Sequence, residues 1–251
     1  MNIKNWGFCD LCISNNFPLE TLQSIEKDGI NTVAINTNIG ESSDEPKKKK
    51  KKGETKEKTD FIPPPVEIAI SQPNNLNILH RVTIEVSDSS IAHKINQSEN
   101  LKKYDIVAVI PKTLQAFQYV CGTMDIDLIT FVPESRLPFK VSRKLYRQAV
   151  ERGIFFEIMY SPAIRDPTSR KNIISTAHIY HAVGKSRNII LSSAAESIMH
   201  FRDIHNVINL GHILGLNSTQ SLESVRDNPR TLILRAEGRR QKLKKKKNKY
   251  K

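Results

Sequence analysis

Cys9 and Cys12 stand three residues apart, the spacing of half a zinc site. The segment Phe8 to Ile13 reads as a β-strand, where side chains alternate with a period of two. Two positions three apart then face opposite ways and do not share one metal. No second Cys-x-x-Cys completes a site, so the pair reads as wall packing. His178 and His181 have a chelating i, i+3 spacing on a predicted helix. Neither a His-Glu-x-x-His pattern nor a carboxylate at ligand spacing accompanies them, and they read as surface or boundary histidines. A barrel phosphoesterase gathers His, Asp and Glu at strand ends to hold metals that activate water. Asp10, Glu134 and Asp166 lie at such ends here without a histidine. They are a weak set for the alternative reading, a metal-dependent phosphoesterase barrel.

The stretch Lys140-Val-Ser-Arg143-Lys144-Leu-Tyr-Arg147 carries different chemistry. On a helix, Lys140, Arg143, Lys144 and Arg147 fall three and four apart on one face, and Val141, Leu145 and Ala149 form the buried one. Such a ridge is either a solvated face or a row of phosphate contacts, and contacts of that kind weaken steeply with salt. Aromatic residues are few, at 6%, and make no stacking platform beside it. A structured RNA recognised through its shape and backbone fits this better than single-stranded bases read in sequence.

The elements that must position these residues are short β-branched strands alternating with amphipathic helices. Strands are expected at 8–13, 32–37, 81–86, 105–110, 128–132, 155–160, 188–192 and 231–234. Helices are expected at 18–27, after the Asp88-Ser89-Ser90 cap to about 102, and at 114–121, 141–152, 168–183, 197–214 and 221–225. Gly29, Gly153, Gly184 and Gly215 read as stop signals. Eight strands, most followed by a helix, is the count of a (β/α)8 barrel, an α/β fold whose functional groups sit at the C-terminal ends of the strands. An open doubly wound sheet shows the same periodicity.

The chain has 251 residues and a net charge of +13. Residues 136–187 hold eleven Lys and Arg against three acidic residues, and residues 235–251 hold ten against one. The first block predicts a basic face and the second a basic tail, both suited to a polyanion. Residues 41–60, with the run Lys47 to Lys52, read as a disordered Lys/Glu-rich insertion, and 241–251 as a disordered basic tail. Removing them leaves a single domain over 1–240. Lysine runs of this kind also read as nuclear localisation or nucleic-acid tethering elements. Three cysteines, an odd number, argue for a reducing compartment. The first ten residues meet charge before a signal-peptide core could form, and no apolar run is long enough to span a bilayer.

Several segments resemble one family: Tyr104-Asp-Ile-Val-Ala-Val-Ile-Pro-Lys112, Phe155-Phe-Glu-Ile-Met-Tyr-Ser-Pro-Ala-Ile-Arg-Asp166, Asn188-Ile-Ile-Leu-Ser-Ser-Ala-Ala-Glu196 and Val207-Ile-Asn-Leu-Gly-His-Ile-Leu-Gly-Leu216. They look like the thirty-kilodalton protein subunit of ribonuclease P and ribonuclease MRP. The resemblance implies a TIM-like barrel related to the polymerase-and-histidinol-phosphatase type but without its metal ligands. It implies a non-catalytic protein cofactor of an RNA enzyme, in which Mg²⁺ serves the RNA and this chain binds no cofactor. Its partners would be ribonuclease P RNA and MRP RNA, a small ferredoxin-like subunit and other proteins of the particle, with precursor tRNA as a further candidate, in the nucleus and nucleolus and away from membranes. The residues it points to are Arg165 and Asp166, Ser192 and Ser193, Arg202, Asn209, and Arg239 and Arg240 of Ala236-Glu-Gly-Arg-Arg240. With the ridge and the neighbouring Arg170 and Lys171, these make the candidate RNA-binding set.

Overall fold

Seven stretches of the chain alternate side chains that pack under helices with side chains that face one another, and each forms a strand. They are β1 (Phe8–Ser14), β2 (Ile30–Ile39), β3 (Asn77–Val86), β4 (Ile106–Pro111), β5 (Leu128–Ile129), β6 (Phe155–Met159) and β7 (Ile189–Ser192). A computed structural model, which describes residues 6–40, 60–66, 76–88, 91, 94–95 and 97–249, joins them into one sheet. Every neighbouring pair is parallel, in the order β1-β2-β3-β4-β5-β6-β7. The α-helices with bounds among the described residues include α1 (Leu22–Lys27), α2 (Leu114–Gly122), α3 (Arg143–Glu151), α4 (Ser161–Arg165), α5 (Pro167–Gly184), α6 (Ile204–Ile213), α7 (Ser218–Val225) and α8 (Asp227–Lys249).

The sheet curls until its ends meet. Ser14 N donates to Ala195 O at 2.9 Å and Ala194 N to Cys12 O at 2.8 Å, and Ile13 pairs with Ala195 as an isolated parallel bridge. The described residues form a nearly closed, TIM-like α/β barrel of seven strands. Val82, Ile84, Val107, Val109, Phe156 and Ile158 face outward into the core beneath the helices. Tyr146 stacks there on Phe156 with centroids 4.1 Å apart, and its hydroxyl donates to Arg187 O at 2.6 Å. Gly184 makes room for that ring, since a Cβ there would lie 1.9 Å from it. Its role is therefore close approach, and the left-handed cap of α5 is Lys185, at φ 54°.

The eighth strand is the main correction. Thr231 to Leu234 lies inside α8, and its Leu232 and Ile233 join Cys9, Ile106, Leu128 and Phe155 in the cluster that fills the N-terminal end of the barrel. Leu232, Ile233, Ala236 and Arg239 are buried, a recurrence of three to four that belongs to a helix. A helix thus plugs the end that an eighth strand would only have walled. The same helix continues through Lys249, where like-charge repulsion had predicted a disordered tail.

Smaller differences follow local chemistry. β5 stops at Ile129 instead of residue 132. The helix expected from 197 begins at Ile204, because the Asp203 carboxylate accepts from His205 N at 3.0 Å and Asn206 N at 3.2 Å and caps it there. The insertion, apart from Asp60, and the Ser89-Ser90 part of the expected cap lie outside the described residues. Among those described, no helix is long and apolar enough to cross a membrane.

Candidate functional site

Inside the barrel the inward positions turn polar toward the C-terminal mouth. Arg81 on β3 and Glu157 on β6 stand three strands apart, on opposing walls, and meet across the interior. Their side chains are 1% and 0% exposed. Arg81 Nη1 and Nη2 donate to Glu157 Oε1 and Oε2 at 2.5 and 2.7 Å, fork against fork. Nη1 also donates to Leu11 O at 2.8 Å and Nε to Thr83 Oγ1 at 3.1 Å. Thr83 Oγ1 in turn donates to Asn36 Oδ1 at 2.6 Å. A buried ion pair persists only when its remaining hydrogen-bonding capacity is met in this way.

Above the pair a cavity of about 280 Å³ opens at the mouth, where barrels of this type carry their functional groups. Asn36, Thr83, Thr130 and Met159 line its wall, with Asn38, Glu134 and the Arg165–Glu196 ion pair at the rim. That pair is 2.7 Å apart, as is Lys112 with Glu85 nearby.

Asp10 is a second buried acid, at the seam between β1 and β7. Its carboxylate accepts from Cys12 N at 3.1 Å and from Ser193 N at 3.0 Å. Burial pushes its pKa up to about 6, with the hydrogen bonds from Ser193 and Cys12 opposing the rise. Burial likewise pushes the Cys9 and Cys12 thiols up to about 12, so both are neutral, inert wall residues at physiological pH. The folded pKa of Asp10 lies above its unfolded value near 3.9, so between the two the native state binds more protons than the unfolded chain. Stability from neutral Asp10 is complete below about pH 4 and lost as pH rises through 6. Asp10→Asn does not titrate. Its stability relative to the parent should therefore rise by up to ~3 kcal/mol between pH 4 and 7 in urea unfolding. A difference that stays flat with pH would exclude an ionisation cost at this site.

The candidate residues fall into two groups. Lys140, Arg143 and Lys144 are exposed, although Lys140 precedes α3 and is not part of its face. The buried side of that helix is Tyr146 and Ala149, with Leu145 only half-buried. Arg147 is exposed and paired with Glu151 at 2.8 Å. Lys171 and Asn209 are exposed. Arg170 donates to Ala163 O at 2.7 Å and clips α4 to α5. Arg202 lies in the loop before α6 and donates to Phe201 O at 2.6 Å and Met199 O at 2.9 Å.

The second group is internal. Ser192 and Ser193 are buried, and Ser193 Oγ donates to Cys12 O at 3.1 Å to hold the barrel seam. Arg239 is 4% exposed and donates through Nη2 to Asp127 Oδ2 at 2.8 Å. Arg240 pairs with Asp105 at 2.5 Å. Burial withdraws Ser192, Ser193 and Arg239 from the surface, and internal hydrogen bonds hold Ser193 and Arg239 in place. The three acids of the phosphoesterase alternative also separate. Asp10 is held at the seam, Glu134 is exposed on a loop, and Asp166 caps α5 by accepting from Ser169 N at 2.6 Å. Among the described residues no group of three His, Cys, Asp or Glu could hold a metal.

Sequence reasoning missed Arg81, Glu157, Asp127 and Arg235. For Arg81 and Glu157 the available signal was a charge at an inward position of a strand, which a folded barrel must pair.

A family model described as RNase P subunit p30 matches residues 7–241. Mouse ribonuclease P protein subunit p30 is 39% identical over 166 residues, 66% of this chain and 62% of that protein. The ribonuclease P/MRP protein subunit RPP1 of Saccharomyces cerevisiae is 31% identical over 152 residues, 61% of this chain and 51% of that protein. The matched region thus spans less than two thirds of either relative. Among solved structures, a chain in archaeal ribonuclease P with mature tRNA superposes with a TM-score of 0.61 and 10% identity, covering 91% of this chain and 90% of that one. An amidohydrolase superposes with a TM-score of 0.50 and 11% identity over 90% of this chain and 74% of its own. At these identities the likeness is one of fold.

Proposed function

This chain belongs to the RNase P subunit p30 family, and from that premise we propose that it is a non-catalytic, RNA-binding protein subunit of ribonuclease P and of ribonuclease MRP. The first removes 5′ leaders from precursor tRNA, and the second processes precursor rRNA. What carries the reading is the extent of the family match, which runs along the whole barrel over residues 7–241. The chemistry of the mouth supports it. Beneath the cavity the Glu157 carboxylate is engaged fork to fork by Arg81, so the buried acid there is not free to ligate a metal ion. The chain then supplies binding and shape, and the Mg²⁺ of the reaction belongs to the RNA. A small ferredoxin-like subunit and the other proteins of the particle complete the set of partners, with the nucleus and nucleolus as the location.

Immunoprecipitating the tagged chain and sequencing the bound RNA tests this. Both ribonuclease P and MRP RNAs are expected, and recovery of neither would overturn the reading. Ribonuclease P RNA alone would confine the chain to that enzyme. A fluorescent fusion excluded from the nucleus would reject the location.

The exposed ridge gives a quantitative check. Each phosphate contact contributes about −0.9 to the slope of log K against log salt. Arg143→Gln with Lys144→Gln should make that slope shallower by about 2 in titrations of ribonuclease P RNA. An unchanged slope would show that this helix faces away from the RNA.

A further inference from the structure

We propose that residues 241–249 of α8 form a cationic strut that lies between two backbone segments of the bound RNA, an inference that rests on the RNA-binding role above. Two observations carry it, the anchorage of the helix and the distribution of its charge.

α8 crosses the floor of the barrel from one side to the other. Asn228 Nδ2 donates to Ile189 O at 2.8 Å at the start of β7, and Leu232 and Ile233 fill the centre. Arg239 and Arg240 then meet Asp127 and Asp105, just before β5 and β4, at 2.8 and 2.5 Å. By Arg240 the helix has therefore reached the rim of the floor, and it continues for nine more residues, to Lys249, a length of about 14 Å. Ion pairs from Arg235, Arg239 and Arg240 fall on successive turns and fix its direction as well as its place.

Residues 242–249 hold six lysines and no acid. Lysines four apart, Lys242 with Lys246 and Lys245 with Lys249, disfavour an isolated helix. Here no nucleation is needed, because the earlier turns are built into the barrel floor, and lysines in the last turns suit the negative end of the helix dipole. The repulsion remains, and a polyanion relieves it. The acids at the rim, Asp105 and Asp127, are already paired with Arg240 and Arg239. Lys244 to Lys247 occupy four consecutive positions about 100° apart around the axis, so the charge girdles the helix instead of lining one face. A flat anionic surface meets only one side of such a rod. Two phosphate backbones, one on either side, meet the whole of it, and the same lysines screen their mutual repulsion. Lysine is a point charge on a flexible stem, which suits backbone phosphates and reads no base.

The test uses the full-length chain with ribonuclease P RNA. Cys9, Cys12 and Cys121 are buried, so Lys246→Cys supplies the one accessible thiol, and an iron chelate tethered there cuts nearby RNA backbone through hydroxyl radicals. Cleavage is expected in two tracts far apart in the RNA sequence. A single tract would show a one-sided contact, and cleavage spread along the RNA would show an unaimed tail; either overturns the strut. Two glycines inserted between Gln241 and Lys242 keep every charge and free the direction. That variant should lose the paired tracts while its affinity for poly(U) holds, and tracts that persist would reject the anchored geometry. Lys244→Gln, Lys245→Gln, Lys246→Gln and Lys247→Gln together should make the slope of log K against log salt shallower by about 3.6, at about 0.9 for each lysine. A change of about 2 would mean that one side alone is engaged and would reject the strut. No cleavage, with an unchanged slope in the glutamine variant, would assign these lysines to another partner such as an acidic protein surface; the strut then falls and the RNA-binding role stands. If the parent binds no RNA in the same titration, the RNA-binding role itself fails.

Discussion

Arg81→Met should destabilise the protein by about 3 to 5 kcal/mol, because it leaves Glu157 as an unpartnered carboxylate sealed within the barrel. Against a total of ~5 to 15 kcal/mol for a typical domain, a loss of that size removes much of the folded population. The penalty arises from the orphaned charge and not from any large net value of the pair. Removing both charges, as Arg81→Met with Glu157→Met, should therefore recover most of the loss, since buried pairs often exchange for apolar residues at little net change. Recovery will not be complete. Leu11 O and Thr83 Oγ1 also lose the donor that Arg81 provides. Urea unfolding of the two variants separates the explanations. A double variant as unstable as the single one would show that volume and packing, rather than an uncompensated charge, fix the requirement for Arg81.

This ion pair also shows why the fold was more legible in the sequence than the site. A strand facing the interior reads as an apolar run whatever its inward residues do. The segments around Val107 and Ile190 announced themselves through β-branched content alone, and their places in the sheet followed from the alternation with helices. The pairing of Arg81 with Glu157 depends on barrel closure, which brings β3 opposite β6 and leaves no mark in either segment. The error at 231–234 has a related cause. A threonine followed by three apolar residues satisfies strand and helix equally, and the wider spacing of Leu232, Ala236 and Arg239 decides between them only when the arginine is counted as buried. The basic residues divided for the same reason. Arg143 and Lys144 lie where amphipathic periodicity put them, whereas Arg239 looks in sequence like one more cation of a solvated tail.

Asp127 should be the residue on which the placement of that tail depends, with Asp127→Ala costing about 3 to 5 kcal/mol. Its buried carboxylate accepts from Val107 N at 2.9 Å, from Arg235 Nη1 at 3.1 Å and from Arg239 Nη2 at 2.8 Å. One acid thus ties β4 and two successive turns of α8 to β5. Arg240 reinforces the attachment through Asp105, and Arg235 through Ile126 O at 2.6 Å. Truncating Asp127 leaves the buried Arg239 cation without its partner, and the least disruptive response is for α8 to lift from the barrel floor. Hydrogen exchange should then report faster exchange in 227–241 than in β3 or β6. Uniform loss of protection would mean that α8 is not a separable unit. The consequence for RNA follows from the continuity of α8 through Lys249. A detached α8 keeps its lysines and hence most of its general affinity for a polyanion, but no longer holds them at a fixed angle to the barrel. Arg239→Ala with Arg240→Ala should therefore impair assembly of the particle more than bulk RNA binding, and Asp127→Ala, which removes no basic residue, should reproduce that pattern. If Asp127→Ala assembles normally while the arginine variants do not, the two arginines contact RNA directly and the latch is not their role.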